Sequence, residues 1–326
     1  MIYKKADKLE EELSAIGLGC WNFGGEWDSS EENSSISIVH AGMDSGINLF
    51  DVAPVYGFGN SERILGKALK GGKREKILIA SKCGLLWNEK HVTRNDLSKA
   101  SILREIDQSL ERLQTDYIDI YQLHWPDHNT PIEETVSALE EIKKAGKIRY
   151  IGLTNFSQKD VETFTSIIEI NTQQSLYNMF ERNTDRYHNI LLEYKTEKEV
   201  LPMVKKHGQA FFPYSPLFQG LLTGRFAESN NFSVNDIRNA NPKLSGELYK
   251  DYYKGTLVLA EFAKKIERPL NEIALSWLRQ KKEVTSIIGG ASSISQLEKN
   301  IHSTTWNLTQ KELEEIETII KPFENL

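Results

Sequence analysis

The chain has 326 residues, of which 39% are hydrophobic and 26% charged, an ordinary balance for a globular protein. Its 40 Lys and Arg residues against 46 Asp and Glu residues give a net charge of −6, which argues against a nucleic-acid-binding protein. No apolar run approaches the roughly 18 residues of a membrane span, and the first residues do not resemble a signal peptide. The two cysteines, Cys20 and Cys83, cannot make a disulfide framework or a four-cysteine zinc site. We therefore expect a cytoplasmic enzyme or binding protein with neither a nucleic acid nor a membrane as its partner.

Short apolar runs alternate with amphipathic helical patterns along the chain, which is typical of βαβ units and a parallel sheet. The predicted strands are Ala15–Cys20, Ile47–Phe50, Ile77–Lys82, Tyr117–Leu123, Tyr150–Thr154, Thr172–Ser175, Ala210–Tyr214 and Thr285–Ile288. The predicted helices are Ser35–Gly46, Ser61–Leu69, Ser98–Leu113, Pro131–Ala145, Gln158–Ile168, Glu197–His207, Asn271–Gln280 and Ser293–Asn300, with a closing helix at Thr309–Ile320. Eight β/α repeats predict an α/β protein with a (β/α)8 TIM barrel, in which residues 1–326 form a single domain. Additional loops are expected at Asn183–Thr196 and Arg225–Tyr253.

Polar residues end several of these predicted strands. In a parallel barrel the carboxyl ends of all strands open on one face, which is where barrel enzymes place their active sites. The polar residues at or beside these ends are Asp51, Lys82, His124, Thr154, Asn155, Gln174 and Tyr214. The pattern therefore predicts a functional site on the carboxyl-terminal face.

Asp51, Tyr56, Lys82 and His124 form a set that is suited to proton transfer. A tyrosine has an ordinary pKa of about 10, too high for easy proton transfer at neutral pH. A nearby lysine ammonium favours the phenolate, a carboxylate can hold that lysine in place, and a histidine can orient a carbonyl oxygen or relay the proton. Each residue alone also has a structural explanation, as a loop cap, a rim residue, a solvated cation or a core histidine. Their occurrence together at adjacent strand ends favours a catalytic site.

Longer stretches around these residues resemble the aldo-keto reductase superfamily. The sequence DVAPVYGFGNSERILGKAL at 51–69 is similar to a signature of that superfamily. Similar stretches follow in order: IASK at 79–82, DIYQLHWPD at 119–127, GKIRYIGLTNF at 146–156, YSPLFQGLLTGR at 214–225 and GGASSISQLEKN at 289–300. The resemblance covers nearly the whole chain and is similar in character to bacterial general aldo-keto reductases and to the channel β subunits that share their fold.

The resemblance implies an NAD(P)H-dependent oxidoreductase that reversibly reduces an aldehyde or ketone to an alcohol. The hydride would come from the nicotinamide and the proton from Tyr56. Lys82 would favour the tyrosine phenolate, Asp51 would pair with Lys82, and His124 would orient the carbonyl. The cofactor site implied in the same way comprises Cys20, Trp21, Asp51, Thr154, Asn155, Gln174, Tyr214, Ser215, Pro216, Leu217, Gly220, Thr223, Arg225, Gly290, Ser292, Gln296 and Asn300.

Position 292 departs from the family pattern. Many members carry a basic residue there that contacts the adenosine 2′-phosphate, whereas this chain has Ser292. Ser292 and Ser293 can still hydrogen-bond a phosphate, and small residues before a helix suit the phosphate sites of barrels. NADP (NADPH) is therefore the expected cofactor, with NAD as the second candidate.

The sequence offers three alternative interpretations. The Gly17-Leu-Gly19 turn lacks the third glycine of a dinucleotide-binding fingerprint, because residue 22 is Asn. A metal hydrolase would need more His and acidic ligands at the strand ends than His124 and its neighbours supply, so no metal is expected. A cofactor-binding regulatory or interaction protein with slow reductase activity stays open as the alternative function. The expected partner is a small carbonyl or alcohol substrate. Three tryptophans could either line its pocket or pack in the core or at the rim: Trp21, Trp87 and Trp125.

Overall fold

The computed structural model describes residues 1–25, 31–228, 232–234 and 236–326. Its eight parallel strands are β1 (Ile16–Gly19), β2 (Leu49–Asp51), β3 (Leu78–Cys83), β4 (Ile118–Leu123), β5 (Ile148–Thr154), β6 (Thr172–Leu176), β7 (Ala210–Tyr214) and β8 (Ile287–Gly290). Hydrogen-bonded neighbours follow the order β7-β6-β5-β4-β3-β2-β1-β8. The backbone N–H groups of Thr285 and Ser286 donate to the Phe211 carbonyl at 3.0 and 3.3 Å, which brings β8 next to β7. The predicted (β/α)8 barrel is confirmed, and each predicted strand overlaps one of these eight.

The register of the barrel brings the predicted polar residues to one end. Gly19 pairs with Asp51 on one side and with Gly290 on the other. Thr154 pairs with Gln174 between β5 and β6. Because every pairing within the barrel is parallel, these carboxyl ends share one face. The strands are almost entirely buried, as expected for a parallel sheet that helices cover.

Ten α-helices surround the described part of the barrel. They are α1 (Glu32–Asp44), α2 (Asn60–Ala68), α3 (Lys99–Leu113), α4 (Ile132–Lys144), α5 (Gln158–Ile167), α6 (Leu201–His207), α7 (Gly246–Lys265), α8 (Leu270–Arg279), α9 (Ile294–His302) and α10 (Gln310–Ile320). Side-chain caps fix several starts: Ser98 caps α3, Ser157 caps α5, and Thr309 with Glu312 forms a capping box at α10. None of the described helices combines the length and the apolar character that are needed to cross a membrane.

The 20-residue helix α7 was not predicted, and the expected loop Arg225–Tyr253 is wrong for residues 246–253, which belong to it. The side chain of its N-cap residue, Ser245, makes no capping hydrogen bond, although Glu247 places an acidic group in the first turn. Packing defines the helix instead, with Tyr249, Tyr252 and Leu259 buried on one face. Residues 229–231 and 235 of the predicted loop lie outside the described residues.

The expected loop at 183–196 contains a short hairpin, Arg186–Tyr187 paired with Ile190–Leu191. Two other hairpins flank the barrel, one joining Tyr3–Lys4 to Leu13–Ser14 and one joining Leu85–Trp87 to Thr93–Asn95. Strands of two or three residues are too short to show the alternation of apolar and polar residues that marks a strand in a sequence. Turn geometry and tertiary packing determine where they form.

The amino-terminal end of the barrel carries ion pairs of its own, centred on the buried carboxylate of Asp119. Asp119 at the start of β4 accepts hydrogen bonds from Arg74 at 2.7 Å and from Arg149 at 2.9 Å. Arg74 also donates to the carbonyls of Ile77 and Tyr117, which tie the starts of β3 and β4 together. This end therefore contributes to stability and lies opposite the predicted site.

Glu105 on α3 is a buried carboxyl group whose pKa burial raises to about 7, from an ordinary value of 4.5. Its oxygens accept the backbone N–H of Gly84 and the hydroxyl of Ser101. The carboxyl group of Glu105 loses its proton near pH 4.5 in the unfolded chain but near pH 7 in the folded protein. Its contribution therefore lowers the free energy of unfolding progressively as the pH rises through that range. We expect Glu105→Gln to gain stability relative to the wild type as pH rises from 4.5 to 7, by up to about 3 kcal/mol. Urea unfolding of both proteins at pH 5 and pH 8 measures this gain.

The matched control for this prediction is Glu111→Gln, since Glu111 is exposed on the same helix. Its stability difference from the wild type should not change with pH. The interpretation of Glu105 fails if Glu105→Gln and Glu111→Gln show the same pH dependence.

Candidate active site

The carboxyl ends of the strands and the loops beyond them surround a cavity of about 700 Å³, within the size range of small-molecule and cofactor pockets. The predicted site residues that line it are Trp21, Asp51, Tyr56, His124, Thr154, Asn155, Gln174, Tyr214, Ser215, Pro216, Leu217, Gly220, Thr223, Arg225, Gly290, Ser292, Gln296 and Asn300. Lys82 and Cys20 do not line the cavity. The structure thus gathers 18 of the predicted residues, from distant parts of the sequence, around one space.

Lys82 lies beneath the cavity floor, where its side chain is fully buried. Its Nζ donates to Asp51 Oδ1 at 2.7 Å and to the Val52 carbonyl at 3.1 Å. Gln174 Nε2 donates to the same Asp51 oxygen at 2.8 Å. Lys82 Nζ also lies 5.2 Å from the centre of the Tyr56 ring. The buried ammonium is therefore held by Asp51 and placed beside Tyr56.

His124 and Trp21 contact Tyr56 from two sides. The Tyr56 and His124 ring centres are 5.9 Å apart in a T-shaped arrangement, and Trp21 stacks on Tyr56 at 5.8 Å. Burial, and then the charge of Lys82, hold the pKa of His124 well below its ordinary value. The imidazole is therefore neutral at neutral pH, so one of its nitrogens carries a hydrogen that can be donated to a carbonyl oxygen.

Of the three tryptophans, two line the cavity and one, half-buried, packs at the rim. Trp21 and Trp125 line the cavity. Trp87 instead packs on Phe58, with ring centres 5.6 Å apart. Apolar lining is completed by Val55, Leu85, Tyr187 and Ile190.

Asn155 links the floor of the cavity to two tyrosines. Its Oδ1 accepts the hydroxyls of Tyr194 at 2.8 Å and Tyr214 at 2.9 Å, and its Nδ2 donates to the His124 carbonyl at 3.3 Å. Burial holds the pKa of Tyr214 well above its ordinary value, so its hydroxyl stays protonated. Tyr194 was missed in the sequence, because it lies in the segment 183–196, which carried no motif.

Two buried hydroxyl groups beside the cavity have no hydrogen-bond partner among the described residues, namely Thr154 Oγ1 and Ser215 Oγ. Buried polar groups are normally hydrogen-bonded, so such hydroxyls suit a polar ligand in the cavity. Both belong to the predicted cofactor site. The residues present therefore fit a bound nicotinamide cofactor.

The exit of β8 forms the far end of the cavity. The backbone N–H of Ser292 donates to Gln296 Oε1 at 2.8 Å, and Asn300 Nδ2 donates to the Gly290 carbonyl at 3.2 Å. Arg238 and Lys299 line the same cavity but were not predicted. Arg238 lies within the segment 225–253, which carries no recognisable motif. Lys299 has the pattern of an ordinary solvent-exposed helix residue, so the sequence predicted a role for neither.

Cys20 is the second predicted site residue, after Lys82, that does not line the cavity. Its side chain is fully buried, and its Sγ donates to the Leu18 carbonyl at 3.6 Å. Burial holds the pKa of its thiol well above the ordinary value, so it stays protonated. Cys20 directly follows β1 and is a core residue, part of the buried apolar cluster that includes Leu18 and Phe23.

The fold and the cavity at its carboxyl-terminal face, with its polar side chains at the strand ends, define a (β/α)8-barrel enzyme. A sequence profile described as "Aldo/keto reductase family" matches residues 15–321. The chain belongs to the aldo/keto reductase family and is an oxidoreductase. The family uses nicotinamide cofactors.

Named relatives cover nearly the whole chain. It is 39% identical over 313 residues to "Aldo-keto reductase YhdN" of Bacillus subtilis, covering 95% of this chain and 91% of that protein. It is 33% identical over 312 residues to "NADH-specific methylglyoxal reductase" of Escherichia coli, covering 91% of each. Among solved structures, the glycerol dehydrogenase AKR11B4 from Gluconobacter oxydans superposes with a TM-score of 0.86 at 32% identity, covering 98% of this chain and 95% of that one.

Proposed function

We propose that this protein reduces an aldehyde or ketone to an alcohol with NADPH, reversibly, and that Tyr56 is the proton donor. The observation that carries this proposal is the buried Lys82–Asp51 pair at 2.7 Å, next to Tyr56 and to a neutral His124. A buried ammonium beside a phenol favours loss of the phenolic proton. This arrangement suits general acid catalysis at a carbonyl oxygen.

The chain's own residues have distinct roles in the proposed reaction. When bound, the nicotinamide cofactor supplies the hydride that forms the new C–H bond. Tyr56 gives its proton to the carbonyl oxygen, which forms the O–H bond of the alcohol and leaves a phenolate that Lys82 stabilises. His124 donates a hydrogen bond to the same oxygen and orients it. In the reverse direction the Tyr56 phenolate accepts the alcohol proton.

Other lining residues would hold the cofactor. Thr154, Asn155 and Gln174 would contact the nicotinamide carboxamide, and the ring of Tyr214 would stack on the nicotinamide. The segment 215–225 and the Gly290–Asn300 region would hold the pyrophosphate and adenosine. Support comes from the hydroxyl groups of Thr154 and Ser215. Neither has a hydrogen-bond partner among the described residues, so both could hydrogen-bond to a bound cofactor.

The direct test is NADPH consumption, followed by its absorbance, with a panel of small aldehydes, aromatic aldehydes, ketones and keto-sugars. We expect turnover with several members of the panel. Binding of NADPH without turnover on any of them would overturn the reductase proposal and favour a cofactor-binding regulatory protein.

We expect NADPH to be used better than NADH, by about tenfold or more in kcat/KM. Three basic side chains line the cavity and support this expectation, namely Arg225, Arg238 and Lys299, since a phosphate monoester is recognised by charge-assisted hydrogen bonds. The Arg238 guanidinium also pairs with Asp236, to which its Nε donates at 2.8 Å, so a phosphate would share it with that carboxylate. The hydroxyls of Ser292 and Ser293 add further donors. Steady-state kinetics with both cofactors, at saturating carbonyl substrate, measures the preference.

The outcome that contradicts this prediction is a higher kcat/KM with NADH, as the name of the Escherichia coli relative would suggest for that protein. Arg238→Ala provides the internal check. If Arg238 contacts the 2′-phosphate, the substitution lowers kcat/KM with NADPH and leaves kcat/KM with NADH nearly unchanged.

A further inference from the structure

Three segments that line the cavity are joined by buried side chains beyond the barrel. They are residues 178–191 after β6, residues 215–226 after β7, and residues 236–244, which form two short 3-10 turns. Each segment contributes to the cavity wall, through Tyr187, Ser215 and Arg238 respectively.

Lys243 makes hydrogen bonds that join two of these segments. Its side chain is almost fully buried, and its Nζ donates to Glu181 Oε1 at 2.7 Å, Thr184 Oγ1 at 2.8 Å and the Arg186 carbonyl at 2.8 Å. All three hydrogens of the ammonium are thereby used. One side chain thus fixes the segment 236–244 to the base of the hairpin at 186–191.

Glu181 links Lys243 to the segment after β7 through hydrogen bonds with Asn178. Its second oxygen, Oε2, accepts Asn178 Nδ2 at 2.7 Å, and the same amide nitrogen donates to the Ser215 carbonyl at 3.0 Å. Ser215 has a φ of +54°, a conformation that L residues adopt only when their surroundings hold it. The buried carboxylate therefore supports the backbone turn that carries Ser215 into the cavity.

A second bridge runs from Asn241 through Gln219 to His188. Asn241 Nδ2 donates to Gln219 Oε1 at 2.9 Å, and Gln219 Nε2 lies 2.7 Å from His188 Nε2. Burial, and then the charge of Lys243, lower the pKa of His188 to about 4, so its ring is neutral and accepts the amide hydrogen. The neighbouring Tyr187 packs edge-on against Tyr214, with ring centres 5.2 Å apart.

We propose that Lys243 is a positioning residue that holds these three segments together around a bound nicotinamide cofactor. The inference rests on the proposed function. We define the Lys243 network as the side chains that make these bonds: Lys243, Glu181, Asn178, Asn241, Gln219 and His188. A buried ion pair is a weak source of net stability, because desolvation offsets its attraction, but it is specific in geometry. We infer that the Lys243–Glu181 ion pair acts by holding Ser215, Gln219 and Arg238 in place at the cavity wall.

The experiment measures the dissociation constant of NADPH by fluorescence titration, at a temperature well below each variant's Tm. Lys243→Met should raise this constant about tenfold or more, because the cofactor must then order segments that are no longer tied together. Asn241→Ser should raise it severalfold. This variant keeps an oxygen able to cap the Lys243 N–H and leaves the buried ion pair intact, but it is too short to reach Gln219.

The matched control is Arg74→Met, which breaks a buried ion pair at the opposite end of the barrel. It should lower Tm comparably and leave the dissociation constant within about twofold of wild type. A purely structural role for Lys243 predicts the same behaviour for Lys243→Met.

The outcomes separate the inference from the proposed function. If wild type and Arg74→Met bind NADPH and both network variants bind it equally well, the role of Lys243 is overturned and the proposed function stands. If wild type binds neither NADPH nor NADH, the proposed function itself is overturned. If Lys243→Met fails to fold, the NADPH dissociation constant of Asn241→Ser alone tests the inference. A value equal to that of wild type overturns it.

Discussion

Replacing Tyr56 by Phe is expected to lower kcat for carbonyl reduction by about 10³-fold, the scale on which a positioned general acid contributes to a rate. The substitution removes the hydroxyl group alone. The ring remains between Trp21 and His124, with which it makes its stacked and T-shaped contacts. Initial rates with saturating NADPH and the best carbonyl of the panel measure the effect.

The control for this variant is cofactor binding, because the proton donor is proposed to act on the substrate oxygen. Tyr56→Phe should bind NADPH with a dissociation constant close to that of wild type and should unfold at nearly the same temperature. A variant that retained wild-type turnover would remove Tyr56 from the mechanism, whatever the cofactor proves to be.

Replacing Lys82 by Met should cost both activity and stability. The loss of activity should reach about 10²-fold or more, since the phenolate of Tyr56 loses the adjacent cation. The loss of stability should be about 3–5 kcal/mol, because the substitution leaves the carboxylate of Asp51 buried and without its cation. Chemical unfolding at pH 7 and initial rates measure the two effects on the same samples.

The double variant Lys82→Met with Asp51→Asn separates these effects. It removes the unpaired charge and preserves the side-chain shape at position 51, so that most of the stability should return. Activity should not return, because the cation is still missing. Recovery of activity together with stability would show that Lys82 matters only for folding.

The barrel and the floor of its site could be predicted because both follow from local patterns. Each strand is a short apolar run, and a parallel barrel forces the strand ends onto one face, so Asp51, Lys82 and His124 could be grouped without any contact information. Helix caps at Ser98 and Thr309 likewise act within four residues of the chain and can be read directly.

The remaining parts of the site depend on contacts between distant residues. Lys243 bonds Glu181, 62 positions earlier, and Tyr194 bonds Asn155, 39 positions earlier. Nothing in the local sequence distinguishes such a buried lysine from a solvated one. Helix α7 was missed for a related reason, since its boundaries are defined by packing. Packing also constrains its interior, because a Cβ atom at Gly255 would lie 2.8 Å from the Phe323 ring.

The proposed proton-transfer groups and the walls of the cavity are built from different kinds of structure. Asp51 and Lys82 lie within barrel strands, whereas Tyr187, Ile190 and Arg238 belong to segments inserted between barrel elements. If the proposed function holds, substitutions at Ile190 would change which carbonyl compounds fit the cavity without altering Asp51 or Lys82. The hairpin at 186–191 is the natural starting point for such redesign, because Ile190 faces the cavity while half of its surface remains open to solvent.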